Sequence, residues 1–378
     1  MTRFVQLFLC LIATLFTGAA LAQDTATPTD TLPDATSSAP VAYVYVSSYL
    51  SKSATHIHGF AAALSGRLTP LPGSPFAAKV ISMAVNGKYL FGSDVNGLDV
   101  DTYSIASNGT LKEVASLNAQ RYNRNGCDGP GPLFLDHTGA TLYNLLNVNC
   151  FDNTYESLRI EKSSGDLQYL GSSGDDLGFG APLSFIGDNV YAYATVCSAR
   201  ESEIVGFKRN SDGMLTQLNI DPTLVNCPYF AVADPTNHLA VFVGQYPEFG
   251  PPAPSQIAAY TVETNGDLST KSTTENSPKT EVTNVSDMSM SPSGKLLAVG
   301  GSNGLQVFHF NGSNPSTHFT GLITNDPVNQ LFWDSNNHLY ALSGAKLLVF
   351  SITPTSVSEA PGSPYAVANA ESMIVQPK

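Results

Sequence analysis

The stretch Ser286 to Phe310, SDMSMSPSGKLLAVGGSNGLQVFHF, constrains this chain more than any other, because degenerate copies of it recur roughly every 45 to 50 residues. Within it Met288 and Met290 alternate with small polar residues, and the turn Ser291-Pro292-Ser293-Gly294 follows. Leu296 to Val299, a Gly-rich turn and Leu305 to Phe310 complete three short strands. One such unit cannot bury both of its faces, so the copies must pack side by side as one all-β body. The expected fold is a seven-bladed β-propeller of four-stranded blades.

The first copy lacks its opening strand. It begins at Ala42-Tyr43-Val44-Tyr45-Val46, and the missing strand is found at the other end of the chain. Pro72-Gly73-Ser74-Pro75-Phe76 followed by Ser82-Met83-Ala84-Val85 introduces the second copy. Pro361-Gly362-Ser363-Pro364-Tyr365 followed by Ser372-Met373-Ile374-Val375 closes the chain. The tail is therefore expected to pair beside the Tyr43 strand and leave no open sheet edge at the seam. The other inner strands begin near Ile81, Leu133, Leu183, Tyr229, Asp287 and Gln330.

Two local signatures repeat around the ring. The exit turns Asp136-His137-Thr138-Gly139, Asp234-Pro235-Thr236-Asn237, Ser291-Pro292-Ser293-Gly294 and Asp334-Ser335-Asn336-Asn337 place Gly or Asn fourth, the residues that tolerate positive φ. Third strands carry an aromatic at Phe60, Tyr103, Phe207 and Tyr260, each followed six residues later by Gly-x-Leu. These aromatics are expected to fill the space between neighbouring blades. Blade 3 keeps the motif at Gly165-Asp166-Leu167, and blades 6 and 7 lose it.

Charged residues are 13% of the 378, and no amphipathic-helix period is present. The formal charge of −13 becomes −14 once Arg3 leaves with a leader, which repels nucleic acid and acidic membrane surfaces. Arg3, the apolar run Phe4 to Phe16 and the small-residue site Ala20-Leu21-Ala22 have the layout of a secretory signal peptide over residues 1–22. Residues 23–40, rich in Thr, Pro, Ser and Asp, read as a disordered spacer before a domain over 41–378. No later stretch is long and apolar enough to span a bilayer, so the expectation is a secreted or periplasmic monomer.

Removing Cys10 with the leader leaves Cys127, Cys150, Cys197 and Cys227, an even set in an exported protein. All four fall in connections that emerge on one face of a propeller. The expected pairs are Cys127 with Cys150 and Cys197 with Cys227, each stabilising by roughly 3 to 4 kcal/mol. The same face carries the long insertions Leu117 to Gly131, Gly171 to Ala181, Ala199 to Glu203, Gly244 to Ser255 and Lys271 to Val285. On them Arg121, Tyr122 and Arg124 are candidates to receive an anion. Asp175, Asp176, Glu201, Tyr246 and Glu248 are candidates for a cation or a sugar.

No Walker loop, His-Glu-x-x-His or Gly-x-Ser-x-Gly elbow occurs. His56 and His58 alternate on one strand without an evident third ligand, and Asp94, Asp99 and Asp101 lack calcium-loop spacing. Neither a metal nor a cofactor is expected. Asp287 and Glu371 lie at inner-strand entries, where side chains face the central channel, and are the best carboxylate candidates there.

Tyr43-Val44-Tyr45-Val46, Gly66-Arg67-Leu68-Thr69, the Pro-Gly-Ser-Pro connectors and Ser291-Pro292-Ser293-Gly294-Lys295-Leu296 together resemble the lactonase-like seven-bladed β-propeller family. That family includes bacterial phosphogluconolactonase and carboxymuconate cyclase, and the likeness covers Val41 to Lys378. In its catalytic members the resemblance implies a His near the start of an inner strand, working with Arg and Glu around the channel. The corresponding entries here are Ser82, Pro132, Pro182, Phe230, Asp287, Gln330 and Ser372. None is His, Arg or Glu, so no catalytic residue carries over, and export separates the chain from cytosolic sugar phosphates. The favoured expectation is a scaffold that binds a small molecule, carbohydrate or protein on its disulfide-braced loop face. The alternative is a lactone or sugar-ester hydrolase in which Asp287 or Glu371 activates water and Arg121 or Arg124 steadies the oxyanion.

Overall fold

The computed structural model describes residues 39–51, 54–94, 99–118, 131–148, 152–174, 182–197, 202–220, 227–244 and 255–378. The expected leader and nearly all of the spacer lie outside them. Every described element is a strand, and the strands form seven antiparallel sheets arranged as a seven-bladed propeller.

The chain closes on itself as the repeat demands. Ala370–Pro377 pairs with Ala42–Ser51 in a register running from Ala42 opposite Pro377 to Ser47 opposite Ser372. The sheet of blade 1 thus runs from this C-terminal inner strand through Ala42–Ser51 and Ala54–Ala62 to Leu68–Pro70. The inner strands of blades 2 to 7 are Val80–Val85, Leu133–Leu135, Ser184–Phe185, Cys227–Ala233, Val285–Met290 and Gln330–Trp333. The two Pro-Gly-Ser-Pro connectors have the same structure. Phe76–Ala77 and Tyr365–Ala366 each lie back along the third strand of the blade just completed. Ser74 Oγ and Ser363 Oγ accept the backbone N–H of Gly59 and Val349 at 2.9 and 3.0 Å.

At three of the exit turns expected to need positive φ the structure has it, with Gly139 at 64°, Gly294 at 65° and Asn337 at 59°. Asn237 differs: its φ is not positive, and its side-chain amide donates to the Val262 carbonyl at 3.2 Å. The first residue of each turn binds the backbone ahead of it. Asp334 Oδ1 accepts from Asn336 and His338 N–H at 2.8 and 3.0 Å, and Ser291 Oγ accepts from Leu296 N–H at 3.0 Å.

The core is divided among the seams between blades. Tyr103 is buried between blades 1 and 2, Phe207 between blades 3 and 4, Tyr260 between blades 4 and 5, and Phe60 between blades 7 and 1. The third-strand aromatics therefore do what the repeat implied. The glycine six residues on has its own reason. At Gly109, with φ 83°, a Cβ would stand 2.8 Å from the Tyr43 ring, and at Gly266, with φ 90°, it would stand 2.8 Å from Tyr191. At Gly109, Gly165 and Gly266 the Gly-x-Leu turn is the surface against which the preceding blade lays a tyrosine, whereas Gly66 meets His338 and Gly213 meets Thr141.

Other tyrosines of the preceding blades close the polar account of the seam. Tyr45, Tyr143 and Tyr193 donate their hydroxyls to the carbonyls of Gly109, Gly213 and Gly266 at 2.8, 2.7 and 2.7 Å. Burial pushes all three hydroxyls above their ordinary pKa, so they stay neutral donors. Between blades 3 and 4 the buried Asp136 carboxylate adds an ion pair with Arg209 at 2.5 Å.

Gly266→Ala is expected to cost about 2 kcal/mol, because it adds both a strained φ and a clash with Tyr191. Tyr193→Phe, which removes one hydroxyl, is expected to cost about 1 kcal/mol. Urea denaturation of the two variants gives the comparison, and a neutral Gly266→Ala would contradict this account of the motif.

Candidate functional site

An inner strand has a hydrogen-bonded neighbour on one side only, so seven strand edges surround the propeller axis. They enclose a cavity of about 470 Å³. Every blade lines it: Ser82, Phe134, Ser184, Phe230, Asp287 and Phe332 are among the residues from blades 2 to 7, and Met373 and Ile374 come from blade 1.

Polar side chains on this wall satisfy the backbone of the next blade. Ser82 Oγ accepts the N–H of Leu133 at 3.3 Å, and Ser184 Oγ accepts that of Ala233 at 2.8 Å. Asp287 Oδ2 accepts from Leu331 N–H at 2.7 Å, and Gln330 Oε1 from Met373 N–H at 2.5 Å. In every case the acceptor belongs to one blade and the donor to the blade that follows it around the ring. A further link joins blades 6 and 7, where Trp333 Nε1 donates to the Ser289 carbonyl at 3.1 Å. The rest of the wall is largely apolar.

Asp287 is the one ionisable residue on the described wall. Its Oδ1 accepts the N–H of Met288 at 2.8 Å, so both carboxylate oxygens hold backbone amides. The residue as a whole is half-buried, but the carboxylate itself is enclosed, and that enclosure governs its titration. Burial pushes the pKa up to about 7 against the opposing pull of the two amides.

The other carboxylate expected at the channel, Glu371, is exposed near the start of Ala370–Pro377 and is not among the residues lining the cavity. Asp287 and Glu371 are therefore not brought together. Arg121, Tyr122, Arg124, Asp175, Asp176, Glu201, Tyr246 and Glu248 lie outside the described residues. So do Cys127 and Cys150.

The expected Cys197–Cys227 pair is present as a disulfide, with Cα atoms 5.3 Å apart across 30 residues of sequence. Cys197 ends the second strand of blade 4, Tyr191–Cys197, and Cys227 opens the inner strand of blade 5. Both cysteines therefore lie at strand ends and not in the connections expected for them. The bond ties two blades together at the face where the inner strands begin, three residues before Phe230 of the channel wall.

Elsewhere polar side chains serve the scaffold. His58 Nε2 meets the Ser48 hydroxyl at 3.2 Å. Among the described residues no three His, Cys, Asp or Glu side chains gather as a metal site. In blade 7, Asp334 Oδ2 pairs with His338 Nδ1 at 2.7 Å and accepts the Tyr340 hydroxyl at 2.9 Å. These three side chains are buried in the exit turn and the strand that follows it. Burial raises the Asp334 carboxyl, but hydrogen bonds from His338 and Asn336 outweigh it and hold the pKa below the usual value.

The stitching roles of Ser82, Ser184 and Gln330 did not follow from the repeat. A signal exists for two of them, because Ser82 and Gln330, like Asp287, stand four residues before the residue that opens an exit turn, Asn86, Asp334 and Ser291 respectively. Ser184 does not share that spacing. Trp333 was missed because its indole reaches across a seam to a carbonyl 44 positions away in sequence.

Solved structures share this architecture. A candidate 6-phosphogluconolactonase from Bacteroides uniformis superposes with a TM-score of 0.67 at 13% identity, covering 88% of this chain and 99% of its own. The periplasmic gluconolactonase PpgL of Pseudomonas aeruginosa gives 0.65 at 13% identity, over 89% and 99%. A hypothetical selenium-binding protein of Sulfolobus tokodaii gives 0.61 at 11% identity, over 89% and 94%. No protein-family model matches the sequence, and no curated protein does. The likeness establishes a lactonase-like seven-bladed propeller fold.

Two outcomes test the site. The folded pKa of Asp287 lies above its ordinary value, so the fold favours the neutral acid. Its stabilising contribution is complete below about pH 4 and is lost as the pH rises through about 7. Asp287→Asn, which cannot ionise, should therefore gain on the wild type by on the order of 2 to 4 kcal/mol between pH 4 and pH 8. A pH-independent difference in urea midpoints would mean that the carboxyl titrates normally. Separately, Cys197→Ser with Cys227→Ser should lower stability by roughly 2 to 5 kcal/mol, read as a drop in Tm under non-reducing conditions.

Proposed function

We propose that this chain is an exported, non-catalytic binding propeller whose ligand enters the axial channel at the face braced by Cys197–Cys227. The observation that carries this reading is the state of Asp287. A general base or nucleophile needs a carboxylate poised toward its substrate. Here each oxygen already holds a backbone amide, and moving Oδ2 onto a ligand breaks one of the links between blades 6 and 7. The half-open cavity remains available for binding. Export is supported by the signal-peptide-like layout of residues 1–22 in the sequence and by the disulfide.

A second reading, lactone or sugar-ester hydrolysis, is favoured by one specific observation. The pKa of Asp287 near 7 is that of an acid suited to proton transfer at neutral pH. In that reaction the carboxylate takes a proton from water as the oxygen adds to the ester carbonyl. The carbon–oxygen ring bond then breaks, and the alkoxide recovers the proton. The candidate lactonase of Bacteroides uniformis and the gluconolactonase of Pseudomonas aeruginosa lend it the support of a shared fold, which hosts unrelated functions as well.

Incubation with glucono-δ-lactone, 6-phosphogluconolactone and dihydrocoumarin separates the readings. The expected result is no hydrolysis above the uncatalysed rate by wild type, Asp287→Asn or Glu371→Gln. Turnover by wild type that Asp287→Asn abolishes, with the variant's Tm preserved, would replace the binding reading with the enzymatic one.

A further inference from the structure

The channel wall carries a specificity of its own, which rests on the reading that the channel is the binding site. Phe134, Phe230 and Phe332 reach it from blades 3, 5 and 7, every second blade of that side of the ring. Each is half-buried, with part of its ring packed into a seam and part left to the cavity. The seam contact fixes the rotamer, so the exposed part of each ring is held in place before a ligand arrives.

Charge points the same way. No Lys, Arg or His contributes to the described wall, and its one ionisable side chain is the Asp287 carboxyl. Four wall amides, those of Leu331, Met373, Leu133 and Ala233, are already paired with wall side chains. An anion brought here loses its hydration, finds no counter-charge, and approaches a chain of net charge −13. An uncharged molecule with an apolar body loses little on entry and meets phenylalanine side chains from three blades.

We infer that the channel takes an uncharged aromatic or alicyclic small molecule and rejects phosphorylated or otherwise anionic ones. A cavity of about 470 Å³ suits a body of two or three rings. The substrate class named for the Bacteroides uniformis neighbour, a phosphorylated lactone, is therefore the class this wall is built against.

The molecule contains its own reporter. Trp333 is the one tryptophan of the sequence, follows Phe332, and hydrogen-bonds the carbonyl of Ser289 on the wall. Two probes share one ring system and differ by a sulfonate: N-phenyl-1-naphthylamine is uncharged, and 8-anilinonaphthalene-1-sulfonate is anionic. Titrated into the full chain with excitation of Trp333, the uncharged probe should bind one to one and show sensitised emission. The sulfonate should bind at least tenfold more weakly. Phe230→Leu and Phe332→Leu, which keep the seam apolar, should each weaken the uncharged probe several-fold. Asp287→Asn should narrow the gap between the two probes.

Equal or tighter binding of the sulfonate, or a naphthylamine signal indifferent to both Phe→Leu changes, would overturn the inference. A parallel titration with 6-phosphogluconate distinguishes the two levels of failure. If that anion alone perturbs Trp333, the channel is a site for another class of ligand and the binding reading survives. If none of the three perturbs it, the channel is not the site and both proposals fall.

Discussion

The backbone pairing of Ala370–Pro377 with Ala42–Ser51 is the constraint on which the rest of the molecule depends. Without it blade 1 lacks its inner strand, and the row of sheets ends in an exposed edge. With it the seven inner edges become the wall of a common channel, and their backbone groups must be satisfied across a narrow space rather than by another strand. The side chains of Ser82, Ser184, Asp287 and Gln330 are the local answer to that requirement. A carboxylate at an inner-strand entry therefore has a structural occupation before it has any chemical one.

The fold was legible because a propeller writes most of its rules into local sequence. Gly139, Gly294 and Asn337 mark turns that need positive φ, and Gly109 and Gly266 mark places where a neighbouring tyrosine presses on the backbone. The matching Pro-Gly-Ser-Pro connectors exposed the seam at blade 1, and the parity and placement of the cysteines anticipated the bond between Cys197 and Cys227. The site was less legible because its partners lie a whole blade apart. Asp287 could be recognised as an entry residue, but its hold on Leu331 depends on how two blades are rotated about the axis, which no local pattern encodes. Glu371 illustrates the converse. Its position in the tail resembles an entry, yet the register between Ala370–Pro377 and Ala42–Ser51 shifts between Ser47 and Ser48, and the side chain stays exposed.

Seam and channel also differ in how freely they can change. A tyrosine hydroxyl on a glycine carbonyl requires specific groups at specific heights, so drift at Tyr193 or Gly266 is penalised at once. A wall position such as Phe134, Phe230 or Phe332 must only fill its share of a seam, and its remaining part is free of that constraint. That division accounts for a chain that keeps the propeller architecture of these solved structures at 11 to 13% identity while its described channel wall is largely apolar with a single carboxylate.

The register of the closing pair has a mechanical corollary. Ala42 lies opposite Pro377, so the chain enters and leaves blade 1 at the same end of the paired strands. A tensile load applied between Ala39 and Lys378 would break their hydrogen bonds one after another from that end, as a zipper parts, instead of loading them all in shear. The joint that makes the ring thermodynamically whole is thus also its point of least resistance to pulling.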